Sequence, residues 1–383
     1  MQVFCLRDLD ELAPYADDWD RLSAGVPFRS WTWLSAWWRN YGGGHFEQQT
    51  RRRLFVPCVF DDTDALVALA PWYLEAGGPQ GRVVRPLGSG EVCSDYLTVL
   101  CQPAMQCQVT QTLADYLTEN PPADDPSRQP WDLLQLSGID AQDRVIDQLL
   151  RHLAADGNTV HRRPGPNCWR IDLPPTWDDY LAMLSKGHRK QLRRLERRLL
   201  ATGRAVLHEV QRLDQLPHAV EILVDLHQRR RHAQGQRGCF ASPRFAAFCQ
   251  EVLPDLLRNG QLRLDWLELD GRPVAIEYKL AGGGVLYAYQ GGVEPDAMEH
   301  EPGKLIAMAN LRQAIEGGYR AFDFLRGDEF YKPHFRAKPR PSLAVRVVPS
   351  RASAQLRHNV WLAGDNVKQW VRSGLKRVAA RGD

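Results

Sequence analysis

The stretch that decides the fold is EHEPGKLIAMANLRQAIEGGYRAFDF, residues 299–324. Its apolar residues recur near helical spacing, which predicts a helix with one face packed on a sheet. The pair Gly317-Gly318 ends that helix, and the alternating residues after it predict a strand. The stretch therefore predicts a helix that leads directly into a sheet strand.

The entrance to this helix has the composition of an anion site. Pro302 suits the first helical turn, and Gly303 allows a ligand to approach the backbone closely. First-turn N–H groups are unpaired and carry partial positive charge, so they bind phosphate, and Lys304 adds a formal charge. The pattern predicts a pyrophosphate cradle, with a plain strand–loop–helix joint as the alternative.

The same order of elements occurs in both halves of the chain, which proline-rich segments punctuate. In each half the pattern predicts two strands, a helix and a third strand that ends at a glycine turn. The predicted ranges are 65–78, 95–100, 104–120 and 131–140 in the first half, and 271–284, 285–293, 303–318 and 319–329 in the second. We therefore predict a duplicated α/β fold. Only the second half has a Gly-Lys pair before its helix, so we expect that half to be the functional one.

Composition limits the classes of function. The 383 residues suffice for two domains, and 44% hydrophobic with 25% charged residues is typical of a soluble globular protein. A formal charge of +3 is too small for a general polyanion binder, so any basic surface must be local. The eight cysteines include no C-x-x-C pair, which predicts no metal site and no compact disulfide framework.

Location is predicted from the N-terminus and from hydropathy. Acidic residues stand where a signal peptide would have a basic segment, and no apolar run is long enough to span a bilayer. We expect a cytoplasmic protein. The basic segment 356–382 has the pattern of an amphipathic helix suited to the inner membrane face or to a membrane synthase, or to docking on the parent domain.

The segment 178–348 resembles the GNAT acyltransferase superfamily, specifically the CelD-like (cellulose-biosynthesis-associated) acetyltransferase domain. It is also similar to the Fem-type peptidoglycan aminoacyl transferases, which carry two GNAT units in tandem. The stretches that carry the resemblance are SKGHRKQLRRLERRL (185–199), GQLRLDWLELDGRPVAIEYKL (260–280), YAYQGGVEPDAMEHEPGKL (287–305) and GYRAFDFLRGDEFYKPHF (318–335). Two first-half stretches, 27–42 and 87–97, resemble the N-terminal region of such proteins.

The resemblance implies tandem GNAT-like units with mixed, mostly antiparallel sheets flanked by helices. It places a degenerate N-terminal unit at 1–165, an acyltransferase unit at 166–350 and a basic tail at 351–383. It also implies acyl-CoA as a co-substrate, with no permanently bound cofactor.

The cofactor contacts follow from the GNAT pyrophosphate loop, [Q/R]-x-x-G-x-[G/A]. Here the equivalent is HEPGKL, in which only Gly303 matches outright, so a charged tRNA stays open as the alternative donor. The predicted cofactor-binding residues are Gln290, Gly291, Gly292, His300, Gly303, Lys304 and Leu305.

Direct acyl transfer needs a base, a polarised carbonyl and a proton for the leaving group. The strand end at 290–292 would supply free N–H groups for the carbonyl. Acids at or near this strand are candidate bases, Tyr331 would donate the proton, and Lys332 resembles the lysine that supports the reacting carbonyl in Fem-type enzymes. The predicted catalytic residues are Glu277, Asp323, Tyr331 and Lys332. A structural alternative is that Asp323 pairs with Arg320 or Arg326 and that Tyr331 anchors the core.

The basic helix at 185–204 predicts an anion site for tRNA, a nucleotide-linked acceptor or a lipid head group, and HQRRRH (227–232) reinforces it. A solvated helix is the alternative. The predicted substrate-binding residues are Arg189, Arg193, Arg326 and Asp328.

The function these patterns favour is an acyltransferase, N- or O-linked, that acts on an amine or hydroxyl of a sugar, exopolysaccharide precursor or glycolipid. By family association the reaction belongs to cell-envelope or cellulose biosynthesis. The alternatives are a tRNA-dependent aminoacyl transferase and a non-catalytic scaffold that recruits a membrane synthase.

Overall fold

The computed structural model describes residues 1–43, 51–119 and 130–362. The strands are β1 (Gln2–Leu6), β2 (Arg52–Phe60), β3 (Leu66–Leu69), β4 (Trp72–Ala76), β5 (Arg82–Pro86), β6 (Leu100–Cys101), β7 (Leu133–Asp140), β8 (Thr159–Pro164), β9 (Cys168–Asp172), β10 (Ala205–Glu209), β11 (Leu262–Leu269), β12 (Arg272–Gly282), β13 (Val285–Val293), β14 (Ala321–Arg326), β15 (Lys338–Arg340) and β16 (Ser342–Val348).

The helices flank these strands. They are α1 (Leu9–Leu12), α2 (Ala16–Leu22), α3 (Trp31–Tyr41), α4 (Gln106–Thr118), α5 (Arg144–Ala155), α6 (Trp177–Met183), α7 (Lys186–Leu195), α8 (Leu216–Ala233), α9 (Pro243–Arg258) and α10 (Pro302–Glu316). A π-helical turn, Glu196–Leu200, extends α7, and a C-terminal helix is described over 352–362.

Two mixed sheets contain these described strands. In the first, the order is β6-β3-β2-β4-β5-β7-β16-β8, and β1 pairs with β2; in the second it is β10-β11-β12-β13-β14-β9-β15. Among the described strands each sheet has one parallel pair, β5 with β7 and β13 with β14, and the other pairings are antiparallel. Helix α4 precedes β7 and helix α10 precedes β14. The predicted fold class, two α/β units with mostly antiparallel sheets, is confirmed.

The elements of the first unit differ in detail from the prediction. The single strand predicted over 65–78 is two strands, β3 and β4, because Pro71 lacks the N–H that would continue the ladder. Of the strand predicted over 95–100, only Leu100 is in a strand, and the parallel partner of β7 is instead the unpredicted β5. The unit therefore repeats the β-α-β order with a different second strand.

The chain crosses between the sheets near its end. Strand β16 lies between β7 and β8 in the first sheet, whereas β9 and β15 belong to the second. The predicted second unit, 166–350, therefore does not coincide with the second sheet, because β16 (342–348) belongs to the first sheet. The C-terminal helix packs on that unit, where Ala354 joins a small apolar cluster. The remainder of the predicted amphipathic tail, 363–383, lies outside the described residues.

The two units share a core. One apolar cluster contains side chains from α3 of the first unit and from α8, α9, β11 and β12 of the second. Trp33 and Trp37 of α3 are at most 1% exposed, and the Trp33 indole donates to Ser94 Oγ at 2.9 Å. Helix α3, which contains four tryptophans, is thus a largely buried helix that joins the units.

Two further observations concern the chemistry of the chain as a whole. None of the described helices has the length and apolar character needed to cross a bilayer. All eight cysteines are free thiols, and the described ranges contain no cluster of three or more metal-ligating side chains.

Candidate active site

A cleft opens where β13 and β14 part. Their parallel pairing ends at Tyr287 and Asp323, although β13 continues for six more residues. The opening between them is a cavity of about 520 Å³, bounded by β12, the end of β13, the C-terminal turn of α8, the entrance of α10 and the segment after β14. The predicted geometry is a free strand end in front of a helix N-terminus, and the structure adds that this end separates from a parallel neighbour, β14.

Strand β13 is shaped for this opening by a bulge and two glycines. Tyr278 pairs with Gln290 but Lys279 pairs with Ala288, so Tyr289 is an additional residue in β13. At Gly292 a Cβ atom would lie 2.4 Å from the backbone nitrogen of His227. Only glycine therefore allows α8 to pack this closely on β13.

Glu277 brings a carboxylate to the floor of the cleft. It lies on β12 beside Gly291, and its Oε2 accepts a hydrogen bond from Asn310 Nδ2 of α10. Burial raises the pKa of Glu277, while attraction to Lys279 and the hydrogen bond from Asn310 oppose that rise. A carboxylate with a raised pKa in a cleft has the property required of a general base.

The entrance of α10 begins at Pro302 as predicted, but its donors are largely used. Pro302 has no N–H, and the N–H groups of Lys304 and Leu305 each donate to Glu301 O at 3.0 Å. Gly303 is open, since a Cβ there would meet only a Val293 methyl at 3.5 Å. The predicted cradle therefore offers a ligand the Gly303 backbone and little else from the first turn.

Side chains at this entrance form an internal network. The Glu301 carboxylate forms an ion pair with Lys304 and accepts from Gln191 Nε2 at 2.6 Å. Lys304 and Glu301 are 25% and 37% exposed, so both remain reachable from solvent. A phosphate would bind Lys304 only in competition with Glu301.

Arg230 lines the cleft and was not among the predicted site residues. It lies on α8 four residues after Leu226, which is buried, so helical spacing turns it toward the sheet. Its neighbour Arg229 faces outward and pairs with Glu294 at 2.6 Å. Among the described residues no carboxylate lies within ion-pair distance of Arg230. The run HQRRRH indicates an anion site, but only the helical register of α8 shows which of its arginines faces the cleft.

Tyr331 also lines the cleft, with its ring against Phe324 and Phe335 at centroid distances of 6.0 and 6.5 Å. Burial raises the pKa of the Tyr331 hydroxyl, which keeps it protonated at neutral pH. Of the predicted catalytic residues, Glu277 and Tyr331 therefore meet at one cavity.

Asp323 lies on the other face of the sheet. It is fully buried; its Oδ2 accepts from the Tyr96 hydroxyl at 2.5 Å, and its Oδ1 accepts from the Leu325 N–H at 2.8 Å. Burial raises the pKa of Asp323 to about 6. Because side chains alternate along a strand, Asp323 faces the first unit while Phe322 and Phe324 face α10. Its contacts join the units and do not reach the cleft.

Lys332 is buried and clamps the turn after β14. Its ammonium donates to Leu325 O at 3.1 Å, Arg326 O at 3.3 Å and Gly327 O at 2.9 Å, and pairs with Glu329 at 2.8 Å. These partners use all three ammonium protons. The structure therefore places Lys332 away from the cavity, with a role in holding the turn.

The remaining predicted substrate-binding residues are dispersed. Arg326 forms an ion pair with buried Asp95 at 2.7 Å, and Asp328 accepts from Trp169 Nε1 at 3.0 Å. Arg189 donates to Leu184 O at 3.1 Å near the end of α6, while Arg193 is exposed. None of the four lines the cavity.

The predicted cofactor contacts divide in the same way. Gly291, Gly292, Gly303 and Lys304 line the cavity. Leu305 is buried in the core, His300 lies in a neighbouring pocket of about 860 Å³, and Gln290 precedes the cleft on β13.

Comparison with known proteins gives this geometry a family context. Residues 186–333 match the family described as an acetyltransferase (GNAT) domain. The crystal structure of FemX is similar at a TM-score of 0.62 and 10% identity, covering 93% of this chain and 99% of that chain. No curated protein sequence gives a significant match to this one.

A second solved structure is similar over nearly the whole chain. It is the C-terminal domain (DUF2156) of a putative lysylphosphatidylglycerol synthetase from Agrobacterium fabrum, with a TM-score of 0.51, 12% identity, and coverage of 93% of this chain and 97% of that one. At these identities the likeness concerns the fold. The whole chain is therefore similar in fold to these structures, and residues 186–333 of its second unit match a GNAT acetyltransferase domain.

Proposed function

We propose that the cleft transfers an acyl group to an amine or hydroxyl acceptor, with Glu277 as the general base. One observation carries this proposal: a carboxylate of raised pKa lies at an opening where parallel strands part, beside the end of β13, which pairs with β12 but no longer with β14.

The reaction proceeds by direct attack. Glu277 takes the proton from the acceptor, whose lone pair attacks the acyl carbon, and N–H groups of β13 near Gly291 stabilise the oxygen that becomes negative. The leaving group takes a proton from Tyr331, whose hydroxyl is protonated at neutral pH. Tyr331 thus begins the cycle in the protonation state that the reaction requires.

The thiol–imidazole pair of Cys239 and His227 does not favour a covalent intermediate. Cys239 Sγ lies 3.5 Å from His227 Nε2, but burial raises the pKa of the thiol to about 12 and lowers that of the imidazole to about 4. A thiolate–imidazolium pair is therefore disfavoured at neutral pH.

The proposed donor is an acyl-CoA, with acetyl-CoA as the simplest case. Its diphosphate would lie at Gly303, with Lys304 exchanging Glu301 for a phosphate oxygen. Arg230, at the cleft wall, adds a positive charge. GNAT domains generally use this donor, and the family match supports the assignment.

A second candidate is a charged tRNA, as in a Fem-type aminoacyl transferase. The observation that favours it is the Glu301 carboxylate at the helix entrance, because a negative charge there opposes a bound diphosphate. Exposed arginines on α7 and its extension would contact the tRNA backbone.

The acceptor proposed is a sugar, an exopolysaccharide or cellulose precursor, or a glycolipid of the cell envelope, at the cytoplasmic side. In this setting the basic segment 356–382 would bring the enzyme to the membrane surface or to a synthase. A non-catalytic scaffold would keep these contacts without the chemistry.

Calorimetric titration of the full chain separates the donors. We expect acetyl-CoA to bind, and to bind more tightly to Glu301→Gln, which frees Lys304. Glu316→Gln, at the far end of α10, is the matched control and should leave the affinity unchanged. If a charged tRNA binds and acetyl-CoA does not, the acyl-CoA assignment fails.

A further inference from the structure

A chain of buried polar groups leads from the interior of the second unit to Glu277. Lys279 and Asp265 are each 1% exposed, and Asn310 is fully buried. Asp265 Oδ2 pairs with the Lys279 ammonium, which donates to Asn310 Oδ1 at 2.7 Å, and Asn310 Nδ2 donates to Glu277 Oε2. Three elements, β11, β12 and α10, contribute to this chain.

We propose that Asn310, held by the Lys279–Asp265 pair, is a positioning residue that directs the transferred proton to Oε1 of Glu277. The inference rests on the proposed function, since it assigns a task to the base named there. Lys279 and Asp265 act through Asn310 and touch no reacting atom.

The orientation of the Asn310 amide follows from which neighbouring groups can donate and which can accept a hydrogen bond. An ammonium only donates, so the atom of Asn310 that faces Lys279 must be its carbonyl oxygen. The amide nitrogen is then directed at Glu277 Oε2, and an amide N–H only donates. Oε2 must therefore accept in both protonation states of Glu277. The proton that Glu277 takes up goes to Oε1.

This fixed acceptor gives the step a defined course. The acceptor N–H or O–H bond breaks and its proton goes to Oε1, while the lone pair forms the new bond to the acyl carbon. The bond to the leaving group then breaks, and the leaving group takes the proton of Tyr331. Atoms and charges balance without a further reactant.

The charges around Glu277 set the size of the effect. Lys279 on β12, Asp265 on β11, Arg230 on α8 and Tyr331 after β14 all interact with it electrostatically. Lys279 and Asp265 oppose each other, because one lowers and the other raises the pKa of Glu277. Because these two effects oppose each other, the hydrogen bond from Asn310 is the contribution from α10 that lowers the pKa of Glu277 and that a single substitution can remove.

The test is a carboxyl titration by NMR on the full chain with ¹³C-labelled glutamate, using Glu277→Gln to assign the resonance. In Asn310→Leu the carboxylate loses its donor, so we expect the Glu277 midpoint to rise by roughly one pH unit. Asn158→Leu is the matched control, because Asn158 is a buried asparagine of the first unit whose amide donates to Leu153 O at 2.8 Å. The control should leave the midpoint unchanged.

Asn310→Asp keeps the test valid if Asn310→Leu does not fold. It preserves shape and the acceptor for Lys279, but places a second acid against Glu277, so the midpoint should also rise. The proposal is overturned if Glu277 titrates identically in the wild type and in both folded Asn310 variants. Retained turnover in Glu277→Gln would instead reject the proposed function, so the two failures are distinguishable.

The pair itself is tested by Asp265→Leu/Lys279→Met. Replacing both buried charges by apolar side chains often preserves folding, whereas removing one leaves an unpaired charge. With the ammonium gone the Asn310 amide is free to turn, so we expect the Glu277 midpoint to rise by less than in Asn310→Leu. A midpoint equal to that of the wild type would remove the pair from the proposal.

Discussion

Each unit contains one parallel strand pair, and the gap beyond the paired residues is filled by a loop in the first unit but open in the second. In the first unit β5 and β7 pair at Val83–Leu133 and Val84–Leu134, and the loop after β5 then returns to the gap. There the Leu97 N–H donates to Gly138 O at 3.2 Å, and Leu97 is 2% exposed. In the second unit the corresponding gap is the cavity of about 520 Å³.

The loop that fills the first gap also docks the second unit. Tyr96 donates to Asp323 and Asp95 pairs with Arg326, so both contacts hold the back of β14. The first unit therefore serves as a support for the strand that borders the cleft. Polar side chains near the ends of β12 to β14 therefore face either the first unit, as Asp323 and Arg326 do, or α10, as Glu277 does. Only those that face α10 reach the cavity.

The largest effect is expected at the base. Glu277→Gln removes the group that takes the acceptor proton, and turnover should fall by roughly 10²- to 10⁴-fold. Donor affinity should change little, since Glu277 lies at the reacting end. Steady-state kinetics with calorimetry checks both, and Glu316→Gln is the control. Unchanged turnover would remove Glu277 from the mechanism.

The next effect concerns the contact between the first unit and β14, not the catalytic residues. Arg326→Met leaves Asp95 buried without its cation, and we expect a loss of about 3 kcal/mol in the free energy of unfolding. Donor binding to the folded protein should persist, because Arg326 does not line the cavity. Urea denaturation and calorimetry measure the two quantities. Loss of binding at full stability would place Arg326 in the site.

A smaller effect separates the two kinds of glycine at the cleft. Gly292→Ala forces a Cβ to within 2.4 Å of α8 backbone, so we expect destabilisation of about 1–3 kcal/mol. Gly303→Ala meets only a methyl at 3.5 Å and should be neutral or stabilising by about 0.5 kcal/mol. Thermal denaturation of both variants tests this contrast. Equal losses would mean that α8 is not packed on β13 as described.

A comparable effect depends on pH. Burial raises the pKa of Asp323 to about 6 in the folded state, above its unfolded value, so the folded state binds the proton more tightly. The contribution of Asp323 to the free energy of unfolding is therefore fully present below its unfolded pKa and is lost as the pH rises through about 6. We expect wild type to lose about 2 kcal/mol relative to Asp323→Asn between these limits. Urea denaturation across this pH window measures it, and parallel stability curves would contradict it.

Sequence patterns predicted the parts that local chemistry determines. The entrance of α10 at Pro302 and the two-unit arrangement follow from helix propensity and repeat order, and Glu277 is a candidate because it lies near the strand end at 290–292. The alternative that Asp323 pairs with Arg320 or Arg326 names the wrong partners, because Asp323 is bonded to Tyr96 and Arg326 pairs with Asp95.

Contacts distant in sequence could not be predicted in this way. Lys332 and Arg326 resemble site residues in composition, but their partners come from the turn after β14 and from the first unit. Arg230 depends on the register of α8, and β16 depends on a crossover between sheets. Each of these follows from packing that no local pattern encodes.

Hydrogen–deuterium exchange of the full chain, with and without a thioether analogue of acetyl-CoA, tests the difference between the units most directly. We predict slower exchange at 288–306 and 324–331, with unchanged exchange at the equivalent segments 97–106 and 134–140 of the first unit. Unchanged exchange throughout, or protection confined to the first unit, would contradict the account.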